Sequence, residues 1–374
     1  MLSVAALASL FCIVAVWGLY PALIGAIAAL VRRDVEAAGG RPAPLPRVTA
    51  IVATRADVMA VRERVNDLLQ SEYPESLLDV VVAYDARATE TLPMWSGAGR
   101  ERVRIVRGDE PGGKASALNA GVRAARGDVL VFADSGQRFG ADAIALLTQA
   151  VMRPRVGAAS GRLELARGER APALPLRLYW ALERWLRRRE AQVHSAVGVT
   201  GAIYAMRRSL WTPLPEGLIL DDLYVPMQLA LSGHRVDFVD AARAYETRDT
   251  TDANEYRRKV RTLTGVLQLC AWLPATLVPV RNPIWAQFVT HKLLRLLTPY
   301  WVLVCAVWAV VTLERNVGIV WLLAGAVVFA ALLQLRSKPF RVLRSAVVSS
   351  ILIQVATVRA TANGARGRWD VWHA

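Results

Sequence analysis

The sequence predicts an α/β domain with a mainly parallel sheet, held between hydrophobic segments at the two ends of the chain. Short runs of β-branched residues alternate with helical stretches through the middle of the sequence. This order of elements is typical of a parallel sheet that is covered on both faces. Residues 2–31 carry no charge, and further long apolar runs occupy the C-terminal third. These runs are long enough to predict membrane helices.

Composition limits the possible classes of protein. The 374 residues include 46 Lys and Arg against 31 Asp and Glu, and 54% are hydrophobic. Many of the arginines flank apolar runs and no nucleic-acid-binding motif is present, which favours an anionic membrane surface over nucleic acid as partner. The three cysteines lie far apart in apolar runs, and the four histidines lack metal-ligand spacing. Neither a disulfide framework nor a zinc cluster is therefore expected.

The N-terminal segment, residues 1–33, is predicted to be a transmembrane anchor. Its apolar run exceeds the roughly 20 residues that a span needs. It has no basic start, and its apolar core is too long for a cleaved signal peptide. Arg32 and Arg33 follow the run, which places that end in the cytosol by the positive-inside tendency. A linker rich in Gly and Pro, residues 39–46, separates the anchor from the next domain.

The next region, residues 46–262, is predicted to be a cytosolic catalytic domain. Four strands are expected at residues 48–53, 80–84, 103–106 and 129–133, and two helices at 58–70 and 115–125. In open α/β sheets, ligands bind beyond the carboxyl ends of the strands. Polar residues directly after these strands are therefore the first candidates for a binding site.

The C-terminal third is predicted to hold interfacial and membrane helices. An interfacial region is expected at residues 263–287, and the remainder, 288–374, should form membrane helices with a basic tail. Candidate spans cover residues 288–313 and 317–335, whereas the run 346–358 is short enough to favour an interfacial or re-entrant helix. Arginines bound that run on both sides, which indicates that both flanks are cytosolic.

Polar residues follow the first two strands. Thr54 and Asp57 come after the first, and Asp85 comes after the second. A carboxylate at a strand end can accept hydrogen bonds from a nucleotide base or ribose. The same residues could instead be ordinary turn or capping residues, and the sequence leaves both interpretations open.

A glycine pair precedes Lys114 at the start of the helix that follows the third strand. The spacing from Gly108 to Lys114 matches a phosphate-binding loop of ATPases, but Ala115 stands where that loop needs Ser or Thr for Mg²⁺. Asp109 and Glu110 would also repel phosphates. Lys114 is therefore expected to face the diphosphate or base of a nucleotide sugar rather than ATP.

Two further acidic positions are candidates for chemistry. Asp134 follows the fourth strand and can hold a divalent ion that neutralises a diphosphate leaving group. Asp221 and Asp222 are adjacent, and repulsion between neighbouring carboxylates can raise the pKa of one of them into the range of a general base. Capping of a helix N-terminus is the alternative for this pair.

Basic residues and a turn complete the set. Arg258 and Arg261 precede an apolar segment, where they could anchor the chain to lipid headgroups, clamp a diphosphate, or do both. Thr200 and Gly201 begin a turn that leads into a strand.

The order of these elements resembles the membrane-bound family-two glycosyltransferases, which include the synthases of cellulose, chitin and hyaluronan and the nodulation chitooligosaccharide synthases. The resemblance covers residues 46 to 300 and, by hydrophobic layout, the rest of the chain. The motifs that carry it are Asp85, GKASALNAG, Asp134 after an apolar strand, TGAIYAMRRS, Asp221-Asp222 and RRKVR.

The resemblance implies a GT-A fold, a nucleotide-sugar donor that is usually UDP-linked, Mg²⁺ or Mn²⁺, and inversion at the anomeric carbon. It implies that Asp85 and Lys114 bind the nucleotide and that Asp134 binds the metal. Asp222 would be the base, and Thr200 and Gly201 would form the acceptor-side turn. Arg261 matches the arginine of the Gln-x-x-Arg-Trp motif. The expected function is hexosyl transfer to a glycan or lipid-linked acceptor at the cytosolic face of the membrane.

Two departures from the family pattern affect these expectations. Gly136 replaces the second acid of the metal motif, and the Gln-x-x-Arg-Trp motif lacks both its Gln and its Trp. Transfer of one or a few sugars is therefore favoured over long-polymer synthesis. A nucleotide-sugar-binding protein that has lost catalysis and a nucleotidyltransferase remain the alternatives.

Overall fold

The computed structural model describes residues 1–31, 44–88, 95, 99–164, 174–246, 252–335 and 337–370. Arg32, Arg33 and residues 39–43 of the predicted linker lie outside these ranges. Within them, the α/β architecture expected from the sequence is confirmed, with apolar helices at both ends of the chain.

The centre of the fold is an eight-stranded mixed sheet. Its strands are β1 Val48–Thr54, β2 Leu78–Tyr84, β3 Val103–Arg107, β4 Val129–Ala133, β5 Gln137–Phe139, β6 Val156–Glu164, β7 Ile203–Arg207 and β8 Arg235–Glu246. Their order is β3-β2-β1-β4-β7-β6-β8-β5. The four strands expected from the sequence form one parallel half. Beyond β4 the sheet is mixed, because β7 runs antiparallel to both β4 and β6, whereas β8 runs parallel to β6 and antiparallel to β5.

Twelve α-helices are described. They are α1 Leu2–Val14, α2 Tyr20–Val31, α3 Val58–Leu69, α4 Lys114–Ala124, α5 Ala143–Val151, α6 Leu174–Val193, α7 Asp221–Leu231, α8 Asp252–Trp272, α9 Trp285–Phe288, α10 Thr298–Val317, α11 Ile319–Leu333 and α12 Lys338–Ala365. Helix α8 runs continuously through the boundary that was predicted between residues 262 and 263.

The sheet separates two apolar cores. Alternate residues of a strand point to opposite faces, so Ile51 packs with α4, α7 and α8 while Val52 packs with α3 and α5. Leu130 and Val131 divide in the same way on β4. Burial on both faces explains why these strands are runs of Val, Ile and Ala without polar alternation.

Within the described ranges, three helical segments are long and apolar enough to cross a membrane: Leu2–Val31, Trp285–Val317 and Phe340–Ala365. The run 346–358, which was expected to be too short, lies inside α12, because the helix continues through the arginines on both sides of the run. The predicted span 317–335 contains the 15-residue helix α11, which falls short of a full span.

Apolar helices from both ends of the chain pack directly on helices of the sheet domain, with α2 against α6 and α12 against α8. A Cβ added at Gly25 would lie 2.9 Å from the ring of Trp185, and one added at Gly364 would lie 2.5 Å from the side chain of Leu267. Glycine is needed at both positions because the helices approach so closely. The apolar terminal helices therefore pack closely on α6 and α8.

Candidate active site

A cavity of about 320 Å³ opens at the carboxyl edge of β1, β2 and β4. Thr54, Asp85, Lys114, Asp134 and Arg261 line it. Thr54 ends β1, Asp85 and Asp134 follow β2 and β4, and Lys114 begins the helix after β3, so the sheet brings the four residues to a single edge. Helix α8 adds Arg261. Five of the residues singled out in the sequence therefore share one cavity.

Asp85 is fixed by the backbone around it. Its Oδ1 accepts hydrogen bonds from the N–H of Arg87 at 3.0 Å and of Gly113 at 2.7 Å. Gly112 has a φ of +87°, and a Cβ there would lie 2.5 Å from Asp85 Oδ1. The glycine pair thus allows the loop to close over this carboxylate. Arg55 lies 3.7 Å from its other oxygen.

Lys114 lies between two acidic side chains, one after the end of β4 and one at the start of α7. Its Nζ lies 3.5 Å from Asp134 Oδ1 and 3.2 Å from Asp221 Oδ1. Burial alone would lower the pKa of this ammonium group, but Asp134, Asp221 and Asp222 together raise it above its ordinary value. Lys114 is therefore charged at every physiological pH and can face a diphosphate.

Asp221 and Asp222 form the first turn of α7, and Leu220 holds the N-cap position without a side-chain cap. The capping alternative therefore does not describe this pair. Burial and the charge of Asp221 raise the pKa of Asp222, while Lys114, Arg187 and Arg261 oppose the rise. A carboxyl group with a raised pKa is suited to taking a proton near neutral pH.

The turn before β7 faces Asp222. A Cβ added at Gly201 would lie 3.2 Å from Asp222 Oδ2, and the N–H of Val199 donates to the Asp222 carbonyl at 2.9 Å. Because β7 is antiparallel to β4, residues before β7 lie at the same edge as Asp134 after β4. The Thr200 hydroxyl donates to the Gly161 carbonyl at 2.9 Å.

Two predicted binding residues lie away from the cavity lining. The Asp57 side chain caps α3, where it accepts the N–H of Ala60 at 2.9 Å. The guanidinium of Arg258 stacks over the ring of Trp180 at 5.1 Å. The Asp57 side chain thus caps its own helix, and the Arg258 side chain packs on α6.

Arg64 contacts the candidate site, although the sequence pattern did not single it out. It is fully buried, and its Nε donates to the Asp134 carbonyl at 3.1 Å. It also pairs with Asp67 and lies over the ring of Phe139 at 4.1 Å. The available signal is a charged residue on the apolar face of α3, in line with Val61, Val65 and Leu68.

The side chains at the cavity fit a metal ion whose remaining ligands come from a substrate. Among the described residues, no three acidic, His or Cys side chains converge to form a complete metal site. Asp134 exposes 40% of its side chain toward the cavity, and Ser135 lines the cavity beside it. Mg²⁺ commonly takes one or two carboxylates together with substrate phosphates.

Comparisons with known proteins identify the family of the chain. Residues 46–265 match the family model for glycosyltransferase like family 2. A search of curated proteins finds no match.

A solved structure shares the fold over nearly the whole chain. The chain is similar to the mannosyltransferase PcManGT from Pyrobaculum calidifontis, solved with GDP-mannose and Mn²⁺, at 21% identity and a TM-score of 0.68 over 97% of this chain and 99% of that one. It is also similar to TarS from S. aureus, at 12% identity and a TM-score of 0.43 over 66% of this chain and 54% of that one. Because the family model covers more than half of the sequence, the protein belongs to glycosyltransferase like family 2 and is a glycosyltransferase with a GT-A-type fold.

Proposed function

We propose that the protein is an inverting hexosyltransferase that moves a sugar from a nucleotide-diphosphate sugar, UDP-linked by family resemblance, to a glycan or lipid-linked acceptor. The observation that carries this proposal is the pairing of a partly buried carboxylate, Asp222, with the Thr200–Gly201 turn on one side and with Lys114 on the other. A general base, an acceptor turn and a cation for the leaving group thus lie together.

In the proposed reaction, Asp222 takes the proton of an acceptor hydroxyl as its oxygen attacks C1 of the donor sugar. The bond between C1 and the diphosphate oxygen breaks in the same step, and the nucleoside diphosphate leaves with the bonding electrons. Lys114 and Arg261 stabilise the negative charge that develops on the diphosphate. Attack from the side opposite the leaving group inverts the anomeric centre.

A divalent ion, Mg²⁺ or Mn²⁺, would be held by Asp134 together with the donor diphosphate. When bound, it would neutralise the leaving group as a Lewis acid. The Mn²⁺ and GDP-mannose in the PcManGT structure support both the ion and a nucleoside-diphosphate sugar. Arg64 would then fix the position of Asp134 through its carbonyl oxygen.

The proposed location is a cell membrane that the chain crosses more than once, with the catalytic domain in the cytosol. Three apolar segments of sufficient length support a multi-pass protein. Arginines at the ends of these segments support the cytosolic side by the positive-inside tendency. A lipid-linked or membrane-proximal acceptor fits this location.

The test is release of nucleoside diphosphate by the purified, detergent-solubilised protein across a panel of UDP- and GDP-sugars with Mn²⁺. Release that depends on the metal and on an acceptor supports the proposal. Tight UDP or GDP binding without turnover over the whole panel would indicate a binding protein instead. Release of pyrophosphate from a nucleoside triphosphate and a sugar phosphate would indicate a nucleotidyltransferase.

A further inference from the structure

A buried charge cluster joins the catalytic domain to the C-terminal membrane segment. Glu183 on α6 accepts hydrogen bonds from Lys292 Nζ at 2.5 Å, from His291 Nε2 at 2.8 Å and from Arg295 Nη1 at 3.1 Å. Arg187, one turn along α6, brings its Nη2 to 3.6 Å from the same carboxylate. Four cationic or ring nitrogens from two parts of the chain thus converge on one acid.

A second carboxylate extends this charge cluster to the N-terminal membrane helix. Glu190 accepts a hydrogen bond from His291 Nδ1 at 2.7 Å and from the Tyr20 hydroxyl at 2.6 Å. Glu190 is fully buried, and Glu183 exposes 4% of its surface. Removing charges from water is costly unless partners and geometry compensate. Stability alone therefore does not explain a charge cluster of this size inside the fold.

Arg187 links the charge cluster to the active site. While its Nη2 faces Glu183, its Nη1 donates to the Thr200 hydroxyl at 3.1 Å. Thr200 is tied further by its backbone N–H, which donates to Ser160 Oγ at 2.8 Å. The next residue, Gly201, packs against the Asp222 carboxylate. The Arg187 guanidinium thus connects the charge cluster to the acceptor-side turn.

We propose that Arg187 is a positioning residue of this active site, which the charge cluster around Glu183 holds in place so that it fixes the Thr200–Gly201 turn and keeps a positive charge beside Asp222. The inference rests on the proposed function and deepens it. It makes the segment that carries His291 and Lys292 part of the catalytic assembly and not only an anchor.

The charges around Asp222 come from four elements. Asp221 lies beside it on α7, and Lys114 on α4, Arg187 on α6 and Arg261 on α8 act on it electrostatically. Three cations therefore oppose the burial and the neighbouring acid that favour the protonated form. Loss of one cation should raise the pKa of Asp222, so that the carboxylate needed as a base forms only at higher pH.

The experiment compares Arg187→Gln, Arg187→Lys and the matched control Arg189→Gln in the full-length protein in detergent. Arg189 lies two residues along the same helix, where it contacts Gln192 and the ring of Trp185. The Asp222 carboxyl is followed by ¹³C NMR against pH, with Asp222→Asn for assignment, and kcat and KM are measured over the same pH range.

For Arg187→Gln we expect the Asp222 titration midpoint and the acid limb of kcat to move upward by about one pH unit, with donor KM changed less than about twofold. Arg187→Lys should restore much of the midpoint, and Arg189→Gln should match the wild type. Lys292→Gln, which weakens the Glu183 anchor, should shift the midpoint in the same direction by a smaller amount.

An Asp222 midpoint in Arg187→Gln equal to that in Arg189→Gln would overturn the inference. If Arg187→Gln does not fold, the comparison of Lys292→Gln with Arg189→Gln decides: a shift supports the inference and an unchanged midpoint overturns it. A protein that transfers no sugar but shows the midpoint shift would refute the proposed function and leave the role of Arg187 standing.

Discussion

Replacement of Asp222 by asparagine should remove sugar transfer while the donor still binds. Asparagine keeps the shape of the side chain but does not take up the proton of an acceptor hydroxyl. A positioned general base contributes about 10²- to 10⁴-fold to a rate, which corresponds to about 3 to 5 kcal/mol of activation free energy. Asp85 and Asp134 line the donor cavity independently of this side chain, so affinity for UDP or GDP should change little.

The same substitution should also change the stability of the protein. The direction of the pKa shift of Asp222 determines whether stability rises or falls. Burial, followed by Asp221, raises this pKa despite the nearby cations. The stability contributed by such a carboxyl is present below its unfolded pKa of about 3.9 and is lost as pH rises through the folded pKa. Asparagine avoids that loss, and each unit of raised pKa is worth about 1.4 kcal/mol. The Asp222→Asn melting temperature at pH 8 should therefore equal or exceed that of the wild type, with any gain disappearing toward pH 4.

Asp109→Asn is the matched control, because its side chain is 65% exposed and pairs with Arg123 at the surface. Nucleoside diphosphate release gives turnover, calorimetric titration gives nucleotide affinity, and thermal unfolding in detergent gives stability. Asp222→Asn with more than about a tenth of wild-type turnover would refute the assignment of this residue as the base. A melting temperature well below that of Asp109→Asn at pH 8 would refute the account of its buried charge.

Two other substitutions test the remaining parts of the site, and a third tests the packing of the fold. Lys114→Met should raise donor KM by about tenfold or more, since a charge-assisted contact to the diphosphate is lost. The acid limb of kcat should also move to higher pH. An unchanged donor KM would exclude contact between Lys114 and the diphosphate. Gly112→Ala should weaken nucleotide binding by about tenfold, because its Cβ would lie 2.5 Å from Asp85 Oδ1; calorimetric titration checks this. Gly127→Ala should lower the free energy of unfolding by about 2 kcal/mol, because its Cβ would meet the Thr49 backbone nitrogen at 2.4 Å; wild-type thermal stability would contradict it.

The parallel half of the sheet could be predicted from the sequence with little error. Strand β4 has the bounds that were expected, and β1 extends one residue further, to Thr54. These strands are buried on both faces, so they stand out as short β-branched runs. Strand β6 is rich in Gly, Ala and Ser, and its place in the sheet depends on pairing with β7 and β8, which local composition does not encode.

The site could be predicted as far as it depends on strand ends and adjacent acids. Asp85, Lys114 and Asp134 come to one cavity because parallel strands share a carboxyl edge. Arg64 and Arg187 could not be found in this way. Each acts through contacts between elements distant in the sequence, such as the 3.1 Å hydrogen bond from Arg64 to the Asp134 carbonyl.

In the C-terminal region, charged residues in the sequence do not mark where a helix ends. Arg344 and Arg359 were expected to end an apolar run, but α12 continues past both of them to Ala365. One face of this helix packs on α8, where Ala356 and Ala360 are fully buried. A helix that packs on protein can carry arginines on its other faces, because their heads reach water or lipid headgroups.

The configuration of the anomeric carbon in the first-formed product tests the central claim most directly. Real-time ¹H NMR of the wild-type reaction, with the donor that the panel identifies, distinguishes the two anomers by their coupling constants. Single displacement with Asp222 as base predicts that the product has the opposite anomeric configuration to the donor and that Asp222→Asn forms none of it. A product that retains the donor configuration would contradict the mechanism.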